Sequence, residues 1–132
     1  MTEKNVTGAG VILQTVKGTF LFQERDNNTK IFPDRIANFG GGLEQGETII
    51  QCAVREMREE LSLYLEKEDL EEIGAFPEPN MPGDYCQMFL AKRIDPSKLE
   101  LHEGRSIVEL TLEEALQNEK VIDFVKEVLK SL

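Results

Sequence analysis

Two cysteines, a single histidine and a shortage of positive charge exclude several classes of protein before any motif is read. Cys52 and Cys86 are too few for a disulfide framework, and neither stands at C-x-x-C or histidine spacing for a metal site. Both read as small buried hydrophobes, although Cys52 lies one helical turn before Glu56 and so close to any site built there. His102 has no second histidine with which to share a metal, and reads as an exposed neighbour of Glu103 rather than a catalyst. The 15 Lys and Arg stand against 25 Asp and Glu, a formal net charge of −10. That balance argues against a protein that grips a nucleic-acid polymer by its backbone. No stretch approaches the ~20 apolar residues needed to span a bilayer. Met1-Thr2-Glu3-Lys4-Asn5 carries no apolar signal core, so the expected location is cytoplasmic, with no membrane partner. Linkers, repeats and long polar tracts are absent too. With 40% hydrophobic residues, the chain predicts a single domain, residues 1–132, able to bury a core.

What is present alternates between strand and helix patterns. Val6 to Val16 and Thr19 to Glu24, apolar runs around Lys17-Gly18, predict a β-hairpin, followed by a polar loop from Arg25 to Asp34. A glycine turn at Gly40-Gly41-Gly42 and an N-cap candidate at Gly46-Glu47-Thr48 lead into a helix over Ile49 to Leu61. Glu71 to Phe76 and Tyr85 to Ile94 read as strands separated by a turn-rich segment, and Arg105 to Leu110 as another. Thr111-x-x-Glu114 is a capping-box pattern opening a short helix. A last helix from about Glu119 to Leu132 would place Val121, Ile122, Val125, Val128 and Leu129 on one face. This order predicts an α/β fold with a mixed sheet and helices on either side.

The segment from Gly41 to Leu63 carries the chemistry. At ~100° per residue, Glu56, Glu59 and Glu60 fall within an arc of about 100°, beside an arc holding Ile50, Ala53, Val54, Met57 and Leu61. Like charges three and four residues apart weaken an isolated helix by a few tenths of a kcal/mol per pair. Glutamates on a surface helix are commonly just a solvated face. The alternative is a cation that neutralises them, and carboxylate and carbonyl oxygens suit hard ions such as Mg²⁺ or Mn²⁺.

The spacing favours the cation. Gly41, five residues, Glu47, seven residues, then Arg55-Glu56-Met57-x-Glu59-Glu60-x-Ser62-Leu63 resembles the signature of the Nudix (MutT-like) hydrolases, which cleave nucleoside diphosphates linked to another moiety. Every charged and apolar position of that signature is filled. Its late glycine is replaced by Ser62, at a place where a helix ends and a left-handed turn is expected. The resemblance reaches further. Leu21-Phe22-Gln23-Glu24-Arg25-Asp26 and Asn38-Phe39-Gly40-Gly41 look like the strand, arginine and glycine turn that precede the signature. Leu99-x-Leu101-x-Glu103-Gly104 looks like the segment from which many members supply a further glutamate. Asn118-Glu119-Lys120-Val121-Ile122 resembles the tail in which 8-oxoguanine nucleotide hydrolases present an asparagine to the base.

The resemblance implies a Nudix-type α/β/α sandwich and a metal-dependent hydrolase whose ligands are Glu56, Glu59, Glu60 and the carbonyl oxygen of Gly40. It implies catalytic roles for Glu56, Glu59 and Glu103, with the general base either Glu103 or Glu56. It also implies that Glu47 lies on a loop folded back over the helix to pair with Arg55, in a structural role. Arg25 is a candidate clamp for a terminal phosphate or a solvated arginine. Gly41 is placed at the substrate, and Asn118 either meets a base or caps the last helix. Phe39, Phe76 and Tyr85 are candidate base-stacking aromatics, each equally readable as a core or sheet residue. The first expectation for substrate is a (d)NTP, including an oxidised, 8-oxo-dGTP-like one, cleaved to monophosphate and pyrophosphate. A nucleotide sugar or other nucleoside diphosphate conjugate is the alternative, and a non-catalytic nucleotide-binding Nudix domain is the alternative of another class. A homodimer is compatible with a small acidic domain of this kind.

Overall fold

The computed structural model describes residues 4–132; Met1, Thr2 and Glu3, part of the amino-terminal segment read above, lie outside the described residues. The first hairpin forms where the apolar runs place it, with β1 (Asn5–Thr15) antiparallel to β2 (Phe20–Glu24) through Leu13↔Leu21 and Gln14↔Phe20. Beyond Leu13 the two strands splay. The chain from Ile36 to Gly42 enters the gap: β3 (Ile36–Ala37) pairs with β2, and β4 (Phe39–Gly42) pairs with β1 from Gly8↔Gly42 to Val11↔Phe39. Gly40-Gly41-Gly42 is therefore a strand and not the turn its composition predicts. Glycine supplies no side chain to reveal a period, whereas its N–H and C=O groups pair with β1 as any residue's would.

Three more strands complete the sheet: β5 (Glu71–Pro77), β6 (Asp84–Ile94) and β7 (Ser106–Leu110). β6 runs parallel to β1, and the remaining pairings are antiparallel, which makes the sheet mixed as expected. Among the described residues its order is β3-β2-β1-β6-β5, with β4 on β1 and β7 on β2.

The period of two along the strands assigns the faces. Ala9, Val11, Leu13, Leu21, Phe39, Phe89 and Ala91 form one buried cluster with Cys52, Ala53, Met57 and Leu61 of helix α1 (Ile49–Leu61). Ile12, Phe20, Phe22, Met88 and Leu90 form the other, against Ala115 of α2 (Leu112–Gln117) and Val125, Val128 and Leu129 of α3 (Asp123–Lys130). Each fully buried Leu, Phe or Met side chain contributes about 1.5–3 kcal/mol, so both helix layers are held by the same mechanism. The result is an α/β/α sandwich.

Two helix expectations need correction. α3 begins at Asp123, four residues later than the pattern suggested, because Lys120 to Ile122 are taken by the sheet edge. Ile36 donates to the Lys120 carbonyl at 2.8 Å and Ile122 donates to the Ile36 carbonyl at 3.1 Å. α1 is also turned relative to the expected stripe. Ile50 is exposed and Val54 only half-buried, while Cys52 and Glu60 lie inside. The helix does not divide into an apolar and an acidic face: one of its glutamates is part of the interior.

Candidate active site

Helix α1 is delimited by local chemistry. Thr48 Oγ1 accepts from the Gln51 amide at 3.1 Å while Gln51 Oε1 accepts from the Thr48 amide at 2.9 Å, a reciprocal cap at the predicted start. At the other end Ser62 adopts φ 52° and ψ 32°, the left-handed conformation expected where the signature has glycine.

α1 lies directly over β4, and the glycines there have separate reasons. A Cβ on Gly40, at φ +151°, would reach the Ala9 carbonyl oxygen and come 2.6 Å from Gly10 Cα on β1. A Cβ on Gly41 would meet the Glu56 carboxylate, 2.5 Å from its Cδ and 2.8 Å from Oε2. Glycine at 40 thus permits strand-to-strand approach, and glycine at 41 admits the Glu56 side chain. This packing reason at glycine 40 stands beside the carbonyl role that the resemblance implies for it.

Arg55 organises the acidic residues around it. Its Nε donates to Glu47 Oε2 at 2.6 Å and its Nη2 to Glu47 Oε1 at 2.9 Å, a two-point pairing with a residue on the loop folded back over the helix. Nη2 also donates to the Gly42 carbonyl at 2.9 Å, tying helix, loop and β4 together. The remaining nitrogen, Nη1, reaches Glu56 at 3.0 Å and Glu59 at 3.2 Å. Arg55 holds the Glu47 carboxyl well down, at about 2, against the opposing effect of burial.

Glu60 has the opposite environment. Only 3% exposed, it accepts from the Gly40 amide at 3.0 Å, and its carboxyl meets that of Glu103 on the loop before β7. Burial first, then Glu103 and Glu56, push it up to about 9. Glu56 is raised as well, chiefly by burial, with Arg55 opposing. Burial likewise pushes the Cys52 thiol up to about 11 and that of Cys86 to about 12, so neither is a ready nucleophile.

Two hollows flank this cluster. One, about 340 Å³, is lined by Gln23, Arg25, Asp26, Thr29, His102, Glu103 and Gly104. The other, about 430 Å³, is lined by Gly40, Gly41 and Gly42 together with Phe32, Phe124, Met81, Asn38, Glu78 and Arg25, among others. Arg25 therefore stands between them, its Nε held by the Ile31 carbonyl at 2.9 Å. A larger hollow of about 830 Å³ lies between loop Glu44 to Thr48, the outer side of α1 and residues 65–68. Arg55 and Arg58 line it, but Glu56 and Glu60 do not.

The structure thus brings Gly40, Gly41, Glu56, Glu60, Glu103 and Arg25 into one region. Glu59 is adjacent but half-exposed and turned to Arg55. Among the described residues no three carboxylates, imidazoles or thiols converge closely enough to hold a metal ion without movement. Asn118 lines neither hollow beside the cluster. Its Oδ1 accepts from the Lys120 amide at 2.8 Å, and it ends α2 rather than capping α3, which Ile122 opens.

The aromatic candidates are also revised. Phe39 is completely buried, Phe76 stacks edge-on against Phe124 at 6.2 Å, and Tyr85 lies under Lys4. The aromatics facing the cleft are Phe32 and Phe124 instead. Phe32 was hidden inside a loop read as polar, although Ile31-Phe32-Pro33 interrupts that polarity. Phe124 was visible only as an apolar residue off the Val121, Val125, Val128 stripe.

Chains of the same architecture are known. A MutT protein from Methanosarcina mazei superposes with a TM-score of 0.78 at 16% identity, over 98% of this chain and 94% of that one. A MutT Nudix hydrolase from Burkholderia pseudomallei gives 0.77 at 16% identity, covering 98% and 99%. An Ap4A hydrolase from C. elegans, solved as a binary complex, gives 0.70 at 21% identity, covering 96% and 93%. These likenesses establish the Nudix class of fold. Comparison with curated proteins returns no match. The family model for the NUDIX domain matches residues 4–132, and the chain belongs to the Nudix family. It is a Nudix pyrophosphohydrolase, and among the described residues no helix is long and apolar enough to cross a membrane.

Proposed function

We propose that residues 1–132 act as one domain that hydrolyses (deoxy)nucleoside triphosphates, oxidised ones included, to monophosphate and pyrophosphate with the help of Mg²⁺ or Mn²⁺. The observation that carries this reading is the gathering of Glu56, Glu60 and Glu103 beside Gly40 and Gly41, next to Arg25 and a cleft walled by Phe32 and Phe124.

The donor set fits a hard divalent ion. Glu56, Glu59, Glu60 and the Gly40 carbonyl offer only oxygen, and the raised Glu60 carboxyl marks a place where negative charge is in excess. Glu56 and Glu59 would exchange Arg55 for the cation. When bound, that ion neutralises the charge of the pyrophosphate link.

The chain's own residues supply the rest. Arg25 lies where a terminal phosphate would enter between the two hollows. Phe32 and Phe124 present apolar rings on which a base can stack. A water oxygen attacks phosphorus, the bond to the leaving pyrophosphate breaks, and the proton passes to the Glu103 carboxylate, which faces the Arg25 hollow. Glu56 is the alternative base, but it already accepts from Arg55.

The deciding experiment is product release from a panel of (d)NTPs, oxidised (d)NTPs and nucleotide sugars, with Mg²⁺, with Mn²⁺ and with chelator. Turnover of triphosphates that chelator abolishes is the expected result. Turnover confined to nucleotide sugars would move the substrate class, full turnover in chelator would remove the metal, and tight binding without turnover would make this a nucleotide-binding domain.

A further inference from the structure

Ser62 occupies the position where the signature has glycine, and it does so at φ 52°, a conformation that a residue with a Cβ adopts only when its surroundings hold it there. The surroundings are the loop that carries Glu103. Ser62 Oγ lies 2.7 Å from His102 Nε2 and donates to Glu100 Oε2 at 3.3 Å. Backbone bonds run alongside: Glu100 donates to the Leu61 carbonyl at 2.9 Å and His102 to the Glu60 carbonyl at 2.8 Å. Leu99 and Leu101 pack against the cluster beneath α1. On the far side of Glu103, Arg105 donates through its backbone to Glu24 at 2.8 Å and through Nη2 to Asp34 at 2.6 Å. Glu103 therefore hangs between two anchored points, with Ser62 supplying the side-chain fastening on the α1 side, to His102 and to Glu100.

We infer that Ser62 and His102 are positioning residues, whose side-chain contact fastens the loop to the end of α1 and holds Glu103 at the site. This rests on the reading of Glu103 as a group that acts on the substrate. It also assigns a purpose to the departure from glycine: the serine hydroxyl does what a bare backbone cannot. A purely structural contact would affect melting. A positioning contact affects turnover, because a carboxylate misplaced by about 1 Å can lose ~10²-fold in rate.

The test compares His102→Ala, His102→Gln, Ser62→Gly and Glu103→Gln by kcat, KM, melting temperature and amide hydrogen exchange at residues 100 and 102. His102→Ala should lower kcat about 10-fold with KM held, and should speed exchange at both amides. His102→Gln, which returns an amide group near the Nε2 position, should restore most of the loss. Ser62→Gly removes the hydroxyl but relieves the left-handed backbone, so it should lower kcat while melting no earlier than the parent. Wild-type kcat in both His102→Ala and Ser62→Gly would overturn the inference while leaving the role of Glu103 intact. Wild-type kcat in Glu103→Gln would instead overturn the role of Glu103, and the positioning of it would fall with that. Loss of kcat accompanied by equal loss of melting temperature, without rescue by His102→Gln, would make the contact structural only.

Discussion

Adjacent glycines at the site should respond to the same substitution in opposite ways. Alanine at 40 would set its Cβ against backbone atoms of β1, the Ala9 carbonyl oxygen and Gly10 Cα, at a φ of +151°. Backbone cannot yield without moving a strand that is paired on both sides with β4 and β6. Strain of that kind costs about 1–3 kcal/mol for the dihedral and a comparable amount for overpacking, so about 2–6 kcal/mol together. For a chain of this size each kcal/mol corresponds to roughly 4 °C, so Gly40→Ala should melt about 8–24 °C earlier. Alanine at 41 meets only the end of the Glu56 side chain. A side chain can rotate away, so Gly41→Ala should melt within a few degrees of the parent, yet displace a carboxylate at the site and lower kcat by ~10²-fold. Calorimetric melting and steady-state turnover of the two variants, measured side by side, provide the assay. If Gly40→Ala melts with the parent, or Gly41→Ala keeps full kcat, the packing argument for β4 under α1 is wrong.

Three further outcomes are expected. Glu60→Gln retains an acceptor for the Gly40 amide and so should keep the fold, while both it and Glu59→Gln should lower kcat by ~10²-fold or more; unchanged turnover in either removes that residue from the site. The Glu47 carboxyl is held at about 2, below its ordinary 4.5, so its contribution to stability is fully present above pH 4.5 and is lost as pH falls through about 2. Glu47→Gln should accordingly melt earlier than the parent at neutral pH, converge with it in acid, and keep kcat. A melting difference that persists below pH 2, or loss of kcat without loss of melting temperature, would contradict a structural role. Phe124→Ala should raise KM for nucleotides about 5-fold, as expected from losing a stacking partner worth about 1 kcal/mol, with kcat held.

Local chemistry was legible from residues alone because it acts over short chain distances. The extent of α1, its Thr48 cap, the left-handed turn at Ser62 and the capping box at Thr111 all follow from neighbours within four residues. The apolar runs likewise located the first hairpin and the later strands, and the spacing from Gly41 to Leu63 pointed to the family. Other features depended on what the chain meets from far away. The triple glycine became a strand because β1 and β2 splay and leave a gap beside β1, which no local pattern announces. Glu60 is buried and raised because β4 supplies an amide and Glu103, 43 positions later in number, comes to the same place. Asn118 is absent from the cleft and Phe32 and Phe124 are present because residues 120–122 close on Ile36 and shorten the last helix. Sequence determined which groups carry charge, where α1 begins and ends, and where α2 begins. Only the tertiary structure decided which carboxylates lose water and which face arginine, since burial and pairing are properties of neighbours in space.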